Sequence, residues 1–266
     1  MLEIFTYGFM NRALIAGLIV ACIAPAIGNF LMMKKLSLVA DTLSHMALIG
    51  VAIGLLTNQE PMFTTLLVTI VTAWIINQLQ VNRRLDAPAI LAMLNPTGLA
   101  IALILISLAK GFNSNLFSYL FGSISTVSQT EIWPIAALGL IVFGSITWFY
   151  QKLVFTVFDQ EGARVKGIAV DHLNLLLMTL TAITVALSMK VVGALLVSAL
   201  MVIPSMTGAL LGTSFRQSFI YSLVVSMLAV FLGLVLAFYL NLPAGATIVL
   251  VALGLFAVAF LVKRRN

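Results

Sequence analysis

The chain has 266 residues, of which 62% are apolar and only 8% are charged, and its mean hydropathy is +1.17. A soluble domain carries about 25% charged residues, so this composition excludes a soluble enzyme and a disordered binder. The single cysteine, Cys22, cannot form an internal disulfide, which excludes a disulfide-stabilised secreted scaffold. We therefore read the net charge of +6 as a signal of membrane orientation and not of nucleic-acid binding.

Intervals without charged residues predict the transmembrane helices, since about 20 apolar residues are needed to cross a bilayer. The last interval is 46 residues long and is divided at residues 241–245, where Pro and Gly favour a tight turn. We expect an all-α integral membrane protein, one domain over residues 1–266, with eight or nine transmembrane helices, since one segment could be re-entrant. In chain order the intervals are 13–33, 42–59, 61–82, 87–109, 132–151, 173–189, 191–215 and 217–262.

The basic residues predict the orientation. We assume that successive loops lie on alternating sides of the membrane and that the C-terminus is cytoplasmic. Only Arg12, Lys110 and Lys190 of the 14 basic residues then lie outside the cell. The longest polar stretches are then 111–131 outside and 152–171 inside. The N-terminus is extracytoplasmic with nine spans and cytoplasmic if the first segment only dips into the membrane. The other basic residues, all predicted inside, are Lys34, Lys35, Arg83, Arg84, Lys152, Arg164, Lys166, Arg216, Lys263, Arg264 and Arg265.

Two ionisable residues lie in the second hydrophobic segment, where such groups are costly and often functional. Asp41 and His45 are four residues apart, so on a helix they share one face, with Ser44 beside them. A carboxylate and an imidazole form a half-site for zinc or manganese. A structural Asp–His pair, a hydrated Asp41 at the interface and a proton relay are the alternatives. The other histidine, His172, abuts the inside loop and is expected to be solvated.

The inside loop contains a short helix candidate over residues 157–168, with Gly162 and Gly167 as expected breaks. It matches the pattern E-x-A-x-x-x-G, which in ABC importers occurs in a cytoplasmic segment that docks a separate ATPase. A solvated connector explains the same residues equally well.

Residues 192–208 combine small side chains with Pro204, which removes a backbone hydrogen bond in the middle of a span. Broken helices of this kind often line binding sites in transporters, although close packing of small residues is an equal alternative. The candidate path-lining residues are Ser44, Ser198, Met201 and Ser205.

These stretches, in this order, resemble the membrane permease of the metal-ion ABC importers, the zinc, manganese and iron uptake family. The resemblance covers essentially the whole chain, and its most specific part is the motif D-x-x-[SA]-H at Asp41 and His45. The residues of this motif resemble those of zinc members more than those of many manganese members. Further matching stretches are residues 9–14, 116–123, 158–161 and 191–204.

The resemblance implies a homodimeric permease in a bacterial cell membrane, with Asp41 and His45 on the metal path. It implies as partners a cytoplasmic ABC ATPase dimer, an extracellular metal-binding lipoprotein or periplasmic binding protein, and a second copy of the chain. No nucleic acid and no resident cofactor are expected, and the cargo is Zn²⁺ or, as the alternative, Mn²⁺ or Fe²⁺. A proton-coupled secondary metal carrier is a further alternative. The implied ATPase-coupling residues are Phe158, Asp159, Glu161, Ala163, Arg164 and Gly167.

Overall fold

The structure is a computed structural model that describes residues 7–81, 87–108, 119–122 and 128–265. Within these ranges the chain is helical, with short turns and no strands. In this described part of the chain, eight helices are long and apolar enough to cross a membrane, so the expected all-α fold with eight or nine hydrophobic helices is confirmed. The helices are α1 (Gly8–Met33), α2 (Leu38–Thr57), α3 (Pro61–Val81), α4 (Ala87–Leu108), α5 (Gln129–Phe158), α6 (Gln160–Val165), α7 (Val170–Val192), α8 (Val197–Leu211), α9 (Phe215–Leu240) and α10 (Ala244–Arg265).

The expectation of a full-length span over residues 191–215 is wrong. The preceding helix α7 continues to Val192, the backbone leaves the helix at Gly193 with φ of +91°, and α8 has only 15 residues. In the turn the amide of Ala194 donates to the carbonyl of Tyr119 at 2.8 Å, and Leu195 donates to Leu120. Non-helical backbone next to membrane helices is tolerated where other protein segments satisfy its hydrogen bonds.

The helices differ in how much of their surface is buried. Helices α1 and α7 are the most buried, and α1 packs against α5, α7, α8 and α9. Helices α3, α4, α5, α9 and α10 instead expose large apolar side chains on their outer faces. Such faces suit contact with lipid tails. Examples of these exposed side chains are Phe63, Leu67, Trp74, Ile104, Leu140, Trp148 and Leu261.

Helices α1 and α8 approach closely at a position that only glycine fits. A Cβ on Gly28 would lie 2.1 Å from the carbonyl oxygen of Met201 and 2.7 Å from the hydroxyl oxygen of Ser205. The hydroxyl of Ser205 donates to the backbone carbonyl of Met201 at 2.7 Å, and the carbonyl oxygen of Pro25 lies 3.3 Å from the same hydroxyl oxygen. Small residues allow membrane helices to pack this closely, so this α1–α8 seam fixes the short helix against the most buried one.

One end of the bundle gathers basic residues. The ammonium of Lys263 donates to the carbonyl of Leu210, which ties the end of α10 to the end of α8. Lys34, after α1, and Arg164, in α6, line one cavity at this end. Lys190, predicted to lie on the other side, pairs with Glu131 at the start of α5.

Helix α6 corrects one expectation about the segment between α5 and α7. The Asp159 carboxylate caps α6 by accepting the amide of Gly162 at 2.8 Å, so Gly162 lies inside the helix and is not a break. Gly167, with φ of +76°, does break the chain after α6, as expected. A Cβ on Gly162 would approach the capping carboxylate to 2.1 Å, which explains why glycine stands there.

We predict that Gly28→Ala destabilises the protein, because the added methyl group must separate α1 from the backbone of α8. Overpacking of this kind costs about 1–3 kcal/mol, measurable as a lower thermal unfolding midpoint in detergent. Gly144→Ala is the matched control, since nothing lies within 4 Å of a Cβ at this helical position. Equal midpoints for the two variants would contradict the α1–α8 seam.

Candidate metal site

Asp41 and His45 lie on one face of α2, near its start. The Nε2 atom of His45 is 3.9 Å from Oδ1 of Asp41, and the two side chains are 14% and 28% exposed. The expected pairing on one helix face therefore occurs in the structure. Both side chains are largely enclosed, yet both remain reachable from outside the chain.

The distance between the two groups bears on what they can do. At 3.9 Å the nitrogen and oxygen are too far apart for a direct hydrogen bond. In a tetrahedral site, two atoms about 2.0–2.2 Å from one zinc ion lie about 3.4 Å apart. The spacing of Asp41 and His45 is slightly longer than that, and the two side chains form no direct hydrogen bond with each other.

Two donors hold the Asp41 carboxylate. The amide of Asn95, in α4, donates to Oδ2 at 2.6 Å. The hydroxyl of Ser198, in the first turn of α8, donates to Oδ1 at 3.3 Å. Helices α2, α4 and α8 thus meet at one carboxylate, and its orientation is fixed from two sides.

Asn95 was not identified from the sequence. The available signal was its position next to Pro96, since an amide and a proline inside an apolar segment both mark irregular or functional points. Gly98 then allows α4 to approach α2, because a Cβ there would lie 3.1 Å from backbone atoms of His45 and Met46. The amide of Asn95 therefore reaches Asp41 directly.

The other predicted path-lining residues occupy different places. Ser44 is buried and its hydroxyl donates to the backbone carbonyl of Asp41 at 2.7 Å. Met201 and Ser205 are fully buried in the α1–α8 seam. Of the four candidates, Ser198 is the one whose side chain contacts the Asp41 carboxylate.

The side chains at this site provide half of the donor set that a transition metal needs. Within the described ranges no group of three or more His, Cys, Asp or Glu side chains comes together, so one chain offers one imidazole and one carboxylate here. The Nδ1 atom of His45 is buried and has no hydrogen-bond partner among the described residues. Imidazole and carboxylate suit zinc and manganese, and two ligands form half of a tetrahedral set.

The predicted coupling residues cluster around α6. Phe158 is 60% exposed and its ring meets that of Phe215 edge-on, with centroids 5.9 Å apart. Glu161 is exposed, whereas Ala163 is fully buried. The guanidinium of Arg164 donates to Asp171 at 3.0 Å, so this exposed segment is fastened to α7.

The predicted outer stretch 111–131 lies largely outside the described residues. Its described parts are residues 119–122 and 128–131. Gly122 has φ of +72°, and a Cβ there would lie 2.5 Å from the carbonyl oxygen of Val191. Glu131 closes a capping box with Ser128 and pairs with Lys190.

His172, near the start of α7, is exposed, as expected.

Comparison with known proteins gives a consistent result. The profile of the ABC 3 transport family matches residues 6–263. The chain is 30% identical over 253 residues to the high-affinity zinc uptake system membrane protein ZnuB of Haemophilus influenzae, covering 95% of this chain and 97% of that protein. It is 29% identical over 258 residues to the manganese transport system membrane protein MntC of Halalkalibacterium halodurans, covering 97% and 88%.

A solved structure shares the fold. PsaBC from Streptococcus pneumoniae, in complex with Fab, matches with a TM-score of 0.84 and 29% identity, over 97% of this chain and 93% of that one. The family match spans nearly the whole chain, and the matched relatives are membrane subunits, with ATP hydrolysis in this family carried by a separate subunit. The chain therefore belongs to the ABC 3 transport family, as a multi-pass membrane subunit of an ABC transporter and not as an enzyme.

Proposed function

We propose that the chain is the permease subunit of an ATP-driven importer for a divalent transition metal, and that its cargo is zinc. The observation that carries the proposal is the pair of Asp41 and His45, 3.9 Å apart on a membrane helix and reachable from outside the chain. A carboxylate inside a membrane costs free energy and is usually retained for a function. Binding a divalent cation on its path through the membrane would be such a function.

The pair completes a site when two chains meet. A twofold axis beside α2 would bring two carboxylates and two imidazoles together, which is the tetrahedral ligand count that zinc prefers. The exposure of Asp41 and His45, at 28% and 14%, leaves room for such a partner. The proposed assembly is therefore a homodimer with the metal path at its twofold axis.

The donor chemistry supports zinc over the hard cations. Calcium takes six to eight oxygen ligands and magnesium releases its waters reluctantly, whereas imidazole suits zinc. The relatives do not separate zinc from manganese, because the zinc and manganese proteins are 30% and 29% identical to this chain. The choice of zinc depends on the nitrogen ligand and on the affinity order, in which zinc binds more tightly than manganese.

The remaining parts of the proposal concern the partners. In our account one transmembrane domain, residues 1–266, holds no resident cofactor and has its C-terminus in the cytoplasm of a bacterial cell. A cytoplasmic ATPase dimer docks on α6 and the exposed Phe158, and its closure on ATP drives alternating access. A metal-binding lipoprotein or periplasmic protein delivers the ion to residues 111–131. Placing the basic end of the bundle inside agrees with the positive-inside rule.

We expect Asp41→Asn and His45→Ala each to abolish zinc uptake in cells while membrane levels stay normal. The first variant removes the charge and keeps the shape, and the second removes the imidazole. His172→Ala, at the other and exposed histidine, is the matched control and should transport normally. Asn95→Ala should weaken metal binding by about 10- to 100-fold, as loss of a group that orients a ligand does.

The same assay, run with radioactive zinc and with radioactive manganese, identifies the cargo. A deletion strain that grows poorly only in zinc-starved medium, and that this chain restores to normal growth, would support zinc as the cargo. A growth defect cured by manganese but not by zinc would assign manganese instead. Normal uptake of both metals by Asp41→Asn and His45→Ala would contradict the metal site itself.

We expect Phe158→Asp to release the ATPase in a pull-down without unfolding the permease. The ring is 60% exposed and contacts Phe215 at its edge, so it offers the kind of apolar anchor that interface hot spots use. Phe158→Leu keeps an apolar side chain and should retain the ATPase. An intact complex with coupled ATP hydrolysis in Phe158→Asp would assign docking to another segment.

A further inference from the structure

A large polar cavity lies at the basic end of the bundle. Its volume is about 630 Å³, and it lies between the turn after α1, the ends of α3 and α5, helix α6 and the first half of α7. None of its lining residues belongs to the metal site around Asp41. The charged residues that line it are Lys34, Lys35, Arg164 and Asp171.

The charges in this cavity do not balance. Arg164 and Asp171 neutralise each other through a contact of 3.0 Å. Lys34 donates to the neutral amide of Asn174, and within the described part of the chain neither Lys34 nor Lys35 forms an ion pair with a carboxylate. Among the described residues, these two ammonium groups therefore have no carboxylate partner.

Lys34 is partly buried, whereas Lys35 is exposed. Burial lowers the pKa of Lys34 from 10.5 to about 8, because the ammonium is removed from water. Lys35 has φ of +58°, a left-handed conformation that glycine or asparagine normally adopts after a helix end. A bound anion would stabilise the charged form of Lys34.

Neutral hydrogen-bond donors complete the lining. Asn77, Gln80, Gln160 and Asn174, which carry side-chain amides, are among the residues that line the cavity. The Nε2 atom of Gln80 is buried and has no hydrogen-bond partner among the described residues. Ammonium and amide groups together form the donor set that a phosphate oxygen accepts from, whereas a divalent cation would be repelled by the lysines.

We propose that this cavity binds a phosphate group, and that the headgroup of an anionic lipid is the source that its position favours. Trp74, one turn of α3 before Asn77, is 51% exposed, and tryptophan is enriched where a membrane meets water. The outer face of α3 before it, with Leu67 65% exposed, suits lipid tails. The lining residues Asn77 and Gln80 follow Trp74 towards the end of α3, where a headgroup would lie.

The test is native mass spectrometry of the purified full chain, titrated in detergent with phosphatidylglycerol or with phosphatidylcholine. Wild-type protein should retain phosphatidylglycerol in preference to phosphatidylcholine. Lys34→Gln with Lys35→Gln should weaken phosphatidylglycerol binding about tenfold or more, as loss of charge-assisted hydrogen bonds does. Lys152→Gln, a basic residue near the same end that does not line the cavity, should change binding less than about twofold.

A second variant keeps the proposal testable if the lysine variants fail to fold. Asn174→Asp gives Lys34 an internal counter-charge of nearly the same shape and should also weaken binding. Inorganic phosphate at millimolar concentration distinguishes the source. If phosphate binds with the same dependence on Lys34 while phosphatidylglycerol does not, the site is supported and its ligand is soluble.

Two results would overturn the proposal. One is equal binding of phosphatidylglycerol and phosphatidylcholine, together with no binding of inorganic phosphate. The other is wild-type binding of phosphatidylglycerol by the variant that carries Lys34→Gln and Lys35→Gln.

Discussion

The structure depends on one constraint: a carboxylate placed on a helix of an apolar bundle must be held by polar partners. Asp41 accepts hydrogen bonds from Asn95 and Ser198, which come from two other helices. Each of those helices is irregular, since α4 contains Pro96 and α8 begins after a non-helical turn. The irregularities are therefore located where the chain brings polar groups to a partly buried carboxylate.

The turn before α8 determines where this helix lies in the bundle. Gly193 and Gly122 allow two backbone segments to come into contact. The amides of Ala194 and Leu195 then donate to the carbonyls of Tyr119 and Leu120. Helix α8 can then be short, start beside Asp41 and pack on Gly28 of α1. This short helix therefore contacts both the candidate metal site and the most buried helix.

The lengths of the apolar intervals between charged residues predicted most of the fold, because helices in a membrane need only length and apolar composition. They failed for residues 191–215, where composition stays apolar but Gly193 ends the helix. They also failed at Gly162, which the Asp159 cap holds inside α6. Asp41 and His45 were found because ionisable residues are rare in apolar segments. Asn95 was not, since a neutral amide 54 positions away in the chain becomes significant only when packing brings it to Asp41.

The central claim is that two Asp41–His45 pairs bind one ion between two chains. Equilibrium dialysis of the purified transporter against zinc tests it most directly, with bound metal counted per permease chain. Our account predicts one ion per two chains, and none in the Asp41→Asn or His45→Ala variant. One ion for each single chain, or undiminished binding in both variants, would contradict it.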